Sequence, residues 1–112
     1  MLTVYGIPNC DTVKKTLNWL REKGFAYQFY DYKKQSITPQ KLADWLTQTD
    51  WQTLVNRAGT TYKQLSDAEK AALQDNESAI ALMLQKPSII KRPLIEEAGK
   101  IVKIGWKPEG LA

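Results

Sequence analysis

The first twenty residues change their apolar period once, which predicts a strand followed by a helix. Leu2 and Val4 are two residues apart, the spacing that places side chains on one face of a strand. Val13, Leu17 and Leu20 then recur at the spacing of a buried helix face. The chain is therefore expected to open with a strand and a helix joined by a short loop.

A second strand is predicted directly after this helix. Gly24 is typical of the residue that follows a helix C-terminus, and the aromatic stretch Phe25–Tyr32 has the composition of a strand. A strand, a helix and a strand in immediate succession form a right-handed βαβ unit. We therefore expect the two strands to be parallel neighbours in one sheet.

From about residue 36 to residue 86 the apolar positions follow helical spacing. Four segments begin with residues that typically cap helix N-termini: Thr38, Asp50, Ser66 and Asn76. Between them, the polar stretch Asn56–Thr61 is expected to form a turn rather than a continuous helix. In the last segment the expected inward positions are Ile80, Met83 and Leu84. Pro87 cannot continue a helix and ends this block.

After this block the chain returns to strand spacing and predicts a β-hairpin. Two isoleucine-rich runs, Ser88–Ile95 and Ile101–Ile104, flank a turn at Glu97–Lys100. Pro93 lies inside the first run, and because proline lacks an N–H it indicates a strand entrance, an edge strand or a cis bend. The order is thus βαβ, helical block, ββ, and we expect a single α/β domain over residues 1–112.

Composition narrows the class of protein. With 43% hydrophobic and 25% charged residues, the chain is an ordinary soluble globular domain. It begins directly with a strand pattern and has no apolar run of membrane-spanning length, so we expect a cytoplasmic protein without a membrane partner. The net charge of +4 comes from scattered lysines and arginines interrupted by acids, which favours a solvated basic surface over a nucleic-acid site.

The sequence contains one cysteine and no histidine. A single cysteine excludes an internal disulfide, and the absence of histidine excludes the usual zinc and haem sites. Catalytic triads that need a histidine imidazole as the base are excluded as well. No metal site and no bound cofactor are expected.

Cys10 is the strongest candidate for chemistry because it lies where the first strand gives way to the first helix. Asn9 is a plausible helix cap, and the helix N-terminus favours a thiolate. That contribution is only about 0.3–1 kcal/mol, whereas one pKa unit is worth about 1.36 kcal/mol. Asp11 and Lys14 roughly cancel, so strong activation needs a cation from elsewhere in the chain. The alternative is that Cys10 is a small buried hydrophobe, although its polar turn favours a reactive thiol.

Three blocks, Tyr5–Thr12, Asn56–Thr61 and Ile89–Leu94, resemble the arsenate reductase-like (ArsC/Spx/YffB) branch of the thioredoxin-fold proteins, and most of all its YffB group. The resemblance implies a four-stranded mixed sheet flanked by helices, with the helical block inserted between the βαβ unit and the hairpin. It also implies that Cys10 is the redox nucleophile, that Arg92 binds an oxyanion or stabilises the thiolate, and that Pro93 is cis.

Substrate-binding roles are expected for Asn9, Arg57, Pro93 and Lys107. The chain also departs from the family pattern. Arg57 stands one position before the arginine of YffB-like sequences, and Lys107 follows the last strand where arsenate reductases have an arginine. Val13 replaces the second cysteine of the Cys-x-x-Cys motif found in many Spx-type regulators.

These features favour a glutathione-dependent monothiol reductase, in which a second thiol from solution resolves the mixed disulfide because the chain has no resolving cysteine. Glutathione is then a co-substrate rather than a bound cofactor. One alternative is an arsenate reductase coupled to glutaredoxin. Another is an Spx-like regulator that contacts the α-subunit of RNA polymerase.

Overall fold

The structure is a computed structural model that describes residues 1–105. Contacts divide the chain into two units, each of which is described by itself. The sheet unit consists of Met1–Ser36 and the chain from Arg92 onward, and the helical unit is Ile37–Lys91. Lys107 lies outside the described residues.

The sheet unit contains four strands in the order β2-β1-β3-β4. These are β1 (Leu2–Gly6), β2 (Tyr27–Asp31), β3 (Leu94–Glu97) and β4 (Lys100–Ile104). β1 pairs in parallel with β2 and antiparallel with β3, and β3 pairs antiparallel with β4. The predicted mixed sheet, with parallel first and second strands and a C-terminal hairpin, is confirmed.

The pairing register brings three chain segments to one edge of the sheet. Gly6, the last residue of β1, pairs with Asp31, the last residue of β2. On the other side of β1, Tyr5 pairs with Leu94, the first residue of β3. The loop after β1, the chain after β2 and the chain before β3 therefore all lie at this edge, where open α/β sheets commonly bind their ligands.

The helix α1 (Asp11–Glu22) links β1 to β2 and packs on the sheet. Its apolar face joins a core formed by four buried residues, Leu2, Val4, Leu20 and Ile95. Gly6 allows α1 to approach β1 closely, because a Cβ at this position would lie 2.8 Å from a methyl group of Val13. The start of α1 is therefore fixed against the end of β1.

Two turns use positive φ angles. Gly24 follows α1 with a φ of 77°, in agreement with its predicted position after the helix C-terminus. Ala98 and Gly99 connect β3 to β4 with φ angles of 53° and 80°, the pattern of a type I′ hairpin turn.

The helical unit contains five helices and one 3₁₀ turn among its residues. The helices are α2 (Pro39–Trp45), α3 (Trp51–Leu54), α4 (Thr60–Lys63), α5 (Asp67–Ala72) and α6 (Asn76–Gln85), and the 3₁₀ turn is Pro87–Ile89. Thr38, Asp50 and Ser66 accept capping hydrogen bonds as predicted. No helix within residues 1–105 is both long enough and apolar enough to cross a membrane.

Two predictions for α6 were wrong by about one residue. The cap is Asp75 and not Asn76, because the Asp75 carboxylate accepts a hydrogen bond of 2.8 Å from the Ser78 N–H. Of the predicted inward positions, Met83 is buried and confirmed and Ile80 is half-buried, but Leu84 is 39% exposed; the second buried residue is Ala79, four residues before Met83 on the same helix face.

The chain before Pro93 is not a strand, contrary to the sequence prediction. After the 3₁₀ turn, Ile90 forms a single antiparallel bridge with Val55. The Lys91 N–H donates a 2.8 Å hydrogen bond to the Leu54 carbonyl, which keeps this segment in the helical unit. Because β3 begins only at Leu94, Pro93 stands at a strand entrance, where its missing N–H costs no ladder hydrogen bond.

Candidate active site

Cys10 lies at the N-terminus of α1 and is itself the N-cap residue. Its backbone is extended, with φ −144° and ψ 123°, and its carbonyl accepts a 3.0 Å hydrogen bond from the Lys14 N–H. The assignment of Asn9 as the cap was therefore wrong, because the first helical hydrogen bond starts one residue later. Asn9 is exposed in the preceding loop, and its role in substrate binding stays a prediction.

Two groups of the first helical turn face the Cys10 sulfur. Cys10 Sγ lies 3.0 Å from the Thr12 hydroxyl oxygen, within hydrogen-bond distance for sulfur. The backbone N–H of Val13 also interacts with Sγ, although it does not form a capping hydrogen bond of standard geometry. Both groups can donate to sulfur, so they favour a thiolate over a thiol.

Arg92 supplies the cation that the sequence argument required. It precedes β3 at the same sheet edge, and the Arg92–Pro93 peptide bond is cis, as the family resemblance implies. The half-buried guanidinium interacts with Cys10 both as a hydrogen-bond donor and as a charge. Burial opposes its charge, but Cys10 and Tyr32 raise the pKa of Arg92 overall, so the side chain stays cationic.

The net effect of these contacts is to lower the pKa of Cys10. Partial burial is the largest single contribution and acts in the opposite direction, because it penalises the charged form. The Thr12 hydroxyl, the Arg92 side chain and the Val13 N–H together outweigh it. Cys10 is thus a partly exposed cysteine with the surroundings of a reactive thiolate.

Tyr32 is a further member of this cluster, and the sequence analysis missed it. It directly follows β2, its N–H donates a 3.2 Å hydrogen bond to the Gly6 carbonyl, and its side chain is only 2% exposed. Burial raises the pKa of Tyr32 to about 12, against a smaller opposing effect of Arg92. A negative charge on Cys10 raises it further, so the phenol stays protonated beside the thiolate. The sequence placed Tyr32 at the end of a predicted strand, but only the register of that strand shows that this end lies beside the loop that carries Cys10.

The substrate-binding role expected for Arg57 stays a prediction. Arg57 belongs to the helical unit and is exposed in the turn that precedes α4. Gly59 caps α4, and a Cβ there would meet the Asn56 side chain at 2.7 Å, so this block has a structural reason for its glycine. Among residues 1–105, no group of three or more histidine, cysteine, aspartate or glutamate side chains could hold a metal ion.

Comparisons with known proteins identify the family of this chain. The model of the ArsC family matches residues 5–112. A curated protein of Haemophilus influenzae is 40% identical over 100 residues, which cover 89% of this chain and 87% of that protein.

Two solved structures extend the likeness to the fold. The YFFB protein superposes with a TM-score of 0.90 at 45% identity, covering 98% of this chain and 95% of that one. An arsenate reductase (ArsC) related protein from Brucella melitensis superposes with a TM-score of 0.81 at 43% identity, covering 98% and 90%. Since the family model matches nearly the whole chain and the structures share its thioredoxin-like fold, the protein belongs to the ArsC family.

Proposed function

We propose that the protein is a glutathione-dependent monothiol reductase whose nucleophile is Cys10. The strongest support comes from the surroundings of the Cys10 sulfur. Thr12, Arg92 and a helix N-terminus lower the pKa of this residue, which is the only cysteine in the sequence. A lowered pKa raises the fraction of thiolate, the reactive form, at neutral pH. Membership of an arsenate reductase-like family fits sulfur redox chemistry of this kind.

The reaction takes two exchange steps. In the first, the Cys10 thiolate attacks the glutathione sulfur of a mixed disulfide, a new Sγ–S bond forms, and the other thiolate leaves with the electron pair. In the second, a glutathione thiolate from solution attacks the glutathione sulfur on Cys10. Glutathione disulfide forms and the Cys10 thiolate is regenerated, so one glutathione thiol from solution is consumed for each mixed disulfide reduced, and the other half of the glutathione disulfide comes from the substrate.

Glutathione suits the site for two chemical reasons. The molecule carries two carboxylates, and Arg92 provides a permanent cation beside the sulfur. The backbone of its cysteinyl group can pair with the backbone before Pro93, which is joined to Arg92 by a cis peptide bond. Asn9, Arg57 and Lys107 remain candidates for further contacts with the carboxylates.

The test is an intact mass measurement after exposure of the reduced protein to oxidised glutathione. We expect one glutathionyl group on Cys10, removal by excess reduced glutathione, and no adduct on Cys10→Ser. Arg92→Met should slow adduct formation at neutral pH, while Lys91→Met serves as a control that removes the neighbouring exposed cation. A protein that stays unmodified, or an adduct that reduced glutathione does not remove, would contradict the proposal.

Arsenate reduction is the second candidate, because the Brucella relative is described as arsenate reductase related. Arsenate needs several fixed donors, and bidentate arginines serve that purpose better than lysines. Here Arg92 is in place, Arg57 is shifted by one position in the sequence, and Lys107 replaces the third arginine. Loss of one charge-assisted contact of about 1.5–3 kcal/mol weakens binding roughly 10- to 150-fold. Efficient glutaredoxin-coupled turnover at micromolar arsenate would reverse this ranking.

The regulatory alternative requires a protein partner instead of a substrate. The Spx resemblance suggests RNA polymerase, and a pull-down of the purified α-subunit with Cys10→Ser would test it, since that variant separates binding from redox chemistry. Retention of the α-subunit at micromolar concentration would move this alternative to first place.

A further inference from the structure

The hydroxyl group of Tyr32 is buried, and no described residue forms a hydrogen bond of standard length and angle with its oxygen, Tyr32 Oη. The Arg92 guanidinium acts on the phenol as a charge and as a hydrogen-bond donor outside standard geometry, whereas Cys10 acts on it through charge. Arginine can only donate, so among the described residues the proton of the phenol has no acceptor. Burying a hydroxyl without a hydrogen bond is unfavourable, so such groups need an explanation in each case.

Two other tyrosines show how this chain usually satisfies a phenol. The Tyr5 hydroxyl donates a 2.9 Å hydrogen bond to the buried carboxylate of Glu96. The Tyr30 hydroxyl donates a 3.1 Å hydrogen bond to the Ser36 carbonyl. Tyr5 and Tyr30 pair with each other inside the sheet, whereas Tyr32 follows the last residue of β2 and has Arg92 and Cys10 as neighbours.

The thiolate of the resting protein does not fill this role. Thr12 and Arg92 donate to Cys10 Sγ, whereas Tyr32 interacts with Cys10 only through charge. A substrate that reacts at Sγ brings additional sulfur atoms into the space around it. The phenol therefore suits an acceptor that exists only during the reaction, namely the sulfur that accumulates negative charge as it leaves.

We propose that Tyr32 is a further catalytic residue, whose hydroxyl donates a hydrogen bond to the sulfur that departs when the Cys10 thiolate attacks a disulfide. This inference rests on the proposed function and adds an explanation of how the site reacts with disulfides whose thiolates are poor leaving groups. The Sγ–S bond forms, the substrate S–S bond breaks, and the electron pair goes to the departing sulfur. The proton stays on Tyr32, because alkyl thiols have pKa values of about 8.5 and the phenol pKa is about 12.

The hydrogen bond should matter most for thiolates that leave slowly. In thiol–disulfide exchange the rate rises as the pKa of the leaving thiol falls. An aromatic thiolate spreads its charge over the ring and needs little help, whereas an alkyl thiolate concentrates its charge on sulfur. A donor at this position therefore makes the rate less sensitive to the leaving group.

The experiment compares two disulfides that leave the same product on Cys10. The first is oxidised glutathione, which expels an alkyl thiolate. The second is the mixed disulfide of glutathione with nitrothiobenzoate, which expels an aromatic thiolate. Rates of single-turnover glutathionylation are measured by rapid quench and intact mass for the unmodified protein, Tyr32→Phe and Tyr30→Phe, the last of which removes a hydroxyl two residues away, in β2.

We expect Tyr32→Phe to slow the reaction with oxidised glutathione roughly 10-fold, the loss of about one hydrogen bond, and the reaction with the aromatic mixed disulfide less than about 2-fold. Tyr30→Phe should match the unmodified protein with both. The pH dependence of Cys10 alkylation should be the same in all three proteins, because the phenol is neutral and does not set the thiolate fraction. Equal slowing with both disulfides, no slowing, or a shifted alkylation profile in Tyr32→Phe would overturn the inference.

A second measurement needs no variant. Across a series of glutathione mixed disulfides, the rate of the unmodified protein should depend less steeply on the pKa of the leaving thiol than the rate of free glutathione thiolate does. Equal slopes would refute the role of Tyr32 while leaving the proposed function intact. Failure of Cys10 to react with any member of the series would instead refute the proposed function itself.

Discussion

Replacing Tyr32 by phenylalanine tests the environment of its hydroxyl through protein stability, independently of any reaction. The substitution removes one oxygen from a side chain that is 2% exposed and leaves the ring in place. No described residue loses a hydrogen bond of standard geometry with Tyr32 Oη. Near pH 7 the variant should therefore be at least as stable as the unmodified protein, and more stable by up to about 3 kcal/mol, the cost of burying a hydroxyl without a hydrogen bond.

The difference should grow in alkaline solution, further in favour of Tyr32→Phe. Burial raises the pKa of Tyr32 from 10.0 to about 12 in the folded protein. Below about pH 9 the phenol is almost entirely neutral in both states and contributes almost no pH dependence. Above that value the unfolded state loses its proton first, so folding stability falls until the folded pKa is reached. Two pKa units at about 1.36 kcal/mol each give a total loss of about 2.7 kcal/mol, about half of it by pH 11.

Urea unfolding at several pH values between 7 and 11 would measure this, with fluorescence and circular dichroism as paired probes. Other tyrosines and lysines also titrate in this range, and the difference between the two proteins removes their contribution. We expect the unmodified protein to lose roughly 1.4 kcal/mol more than Tyr32→Phe between pH 9 and pH 11. Parallel pH profiles would show that the phenol ionises as easily in the folded state as in the unfolded state, which would refute the argument for its burial.

Three further outcomes follow from individual contacts. Arg92→Lys should raise the pKa of Cys10, because lysine keeps the charge but lacks the guanidinium fork. Rates of iodoacetamide alkylation measured against pH would show this shift, and an inflection at an unchanged pH would contradict the prediction. Tyr5→Phe should destabilise the fold by about 1.5–3 kcal/mol in urea unfolding, since the buried Glu96 carboxylate loses a hydrogen bond, and a smaller loss would mean that Glu96 finds another donor. Gly24→Ala should cost about 1–2 kcal/mol through its φ of 77° alone, because no atom lies within 4 Å of the new methyl group; an unchanged unfolding midpoint would contradict this.

Local sequence signals predicted most of the fold because they act over a few residues. The apolar spacing changes after Val4, and this signal depends only on residues that are neighbours along the chain. The same is true of the cap at Thr38 and the turn at Gly99, and all three features are present. The errors occurred where tertiary contacts compete with local pattern. The run from Ser88 to Ile90 has strand composition, but its hydrogen bonds go to the segment after α3, so it forms a 3₁₀ turn and one bridge.

The site was harder to predict because its members are distant in sequence. The argument from Cys10 established that a helix N-terminus is insufficient and that a further cation is needed, and the resemblance suggested Arg92. Neither could indicate Tyr32, since its relation to Cys10 depends on the parallel register that pairs Gly6 with Asp31. Thr12 was within the recognised block, but its contact with the sulfur depends on Cys10 being the cap rather than Asn9.

The buried hydroxyl of Tyr32 also supports the proposal that this edge of the sheet is a functional site. Phenylalanine would fill the same space without burying a hydroxyl, whose desolvation costs about 1–3 kcal/mol when no hydrogen bond compensates it. Total stabilities of such domains are only about 5–15 kcal/mol, so this is a substantial cost. Residues that reduce stability by this much are found mainly at functional sites. A donor that is unfavourable in the resting protein and satisfied only as a substrate sulfur leaves stabilises the transition state more than the ground state, which is the condition for raising the rate rather than only the affinity.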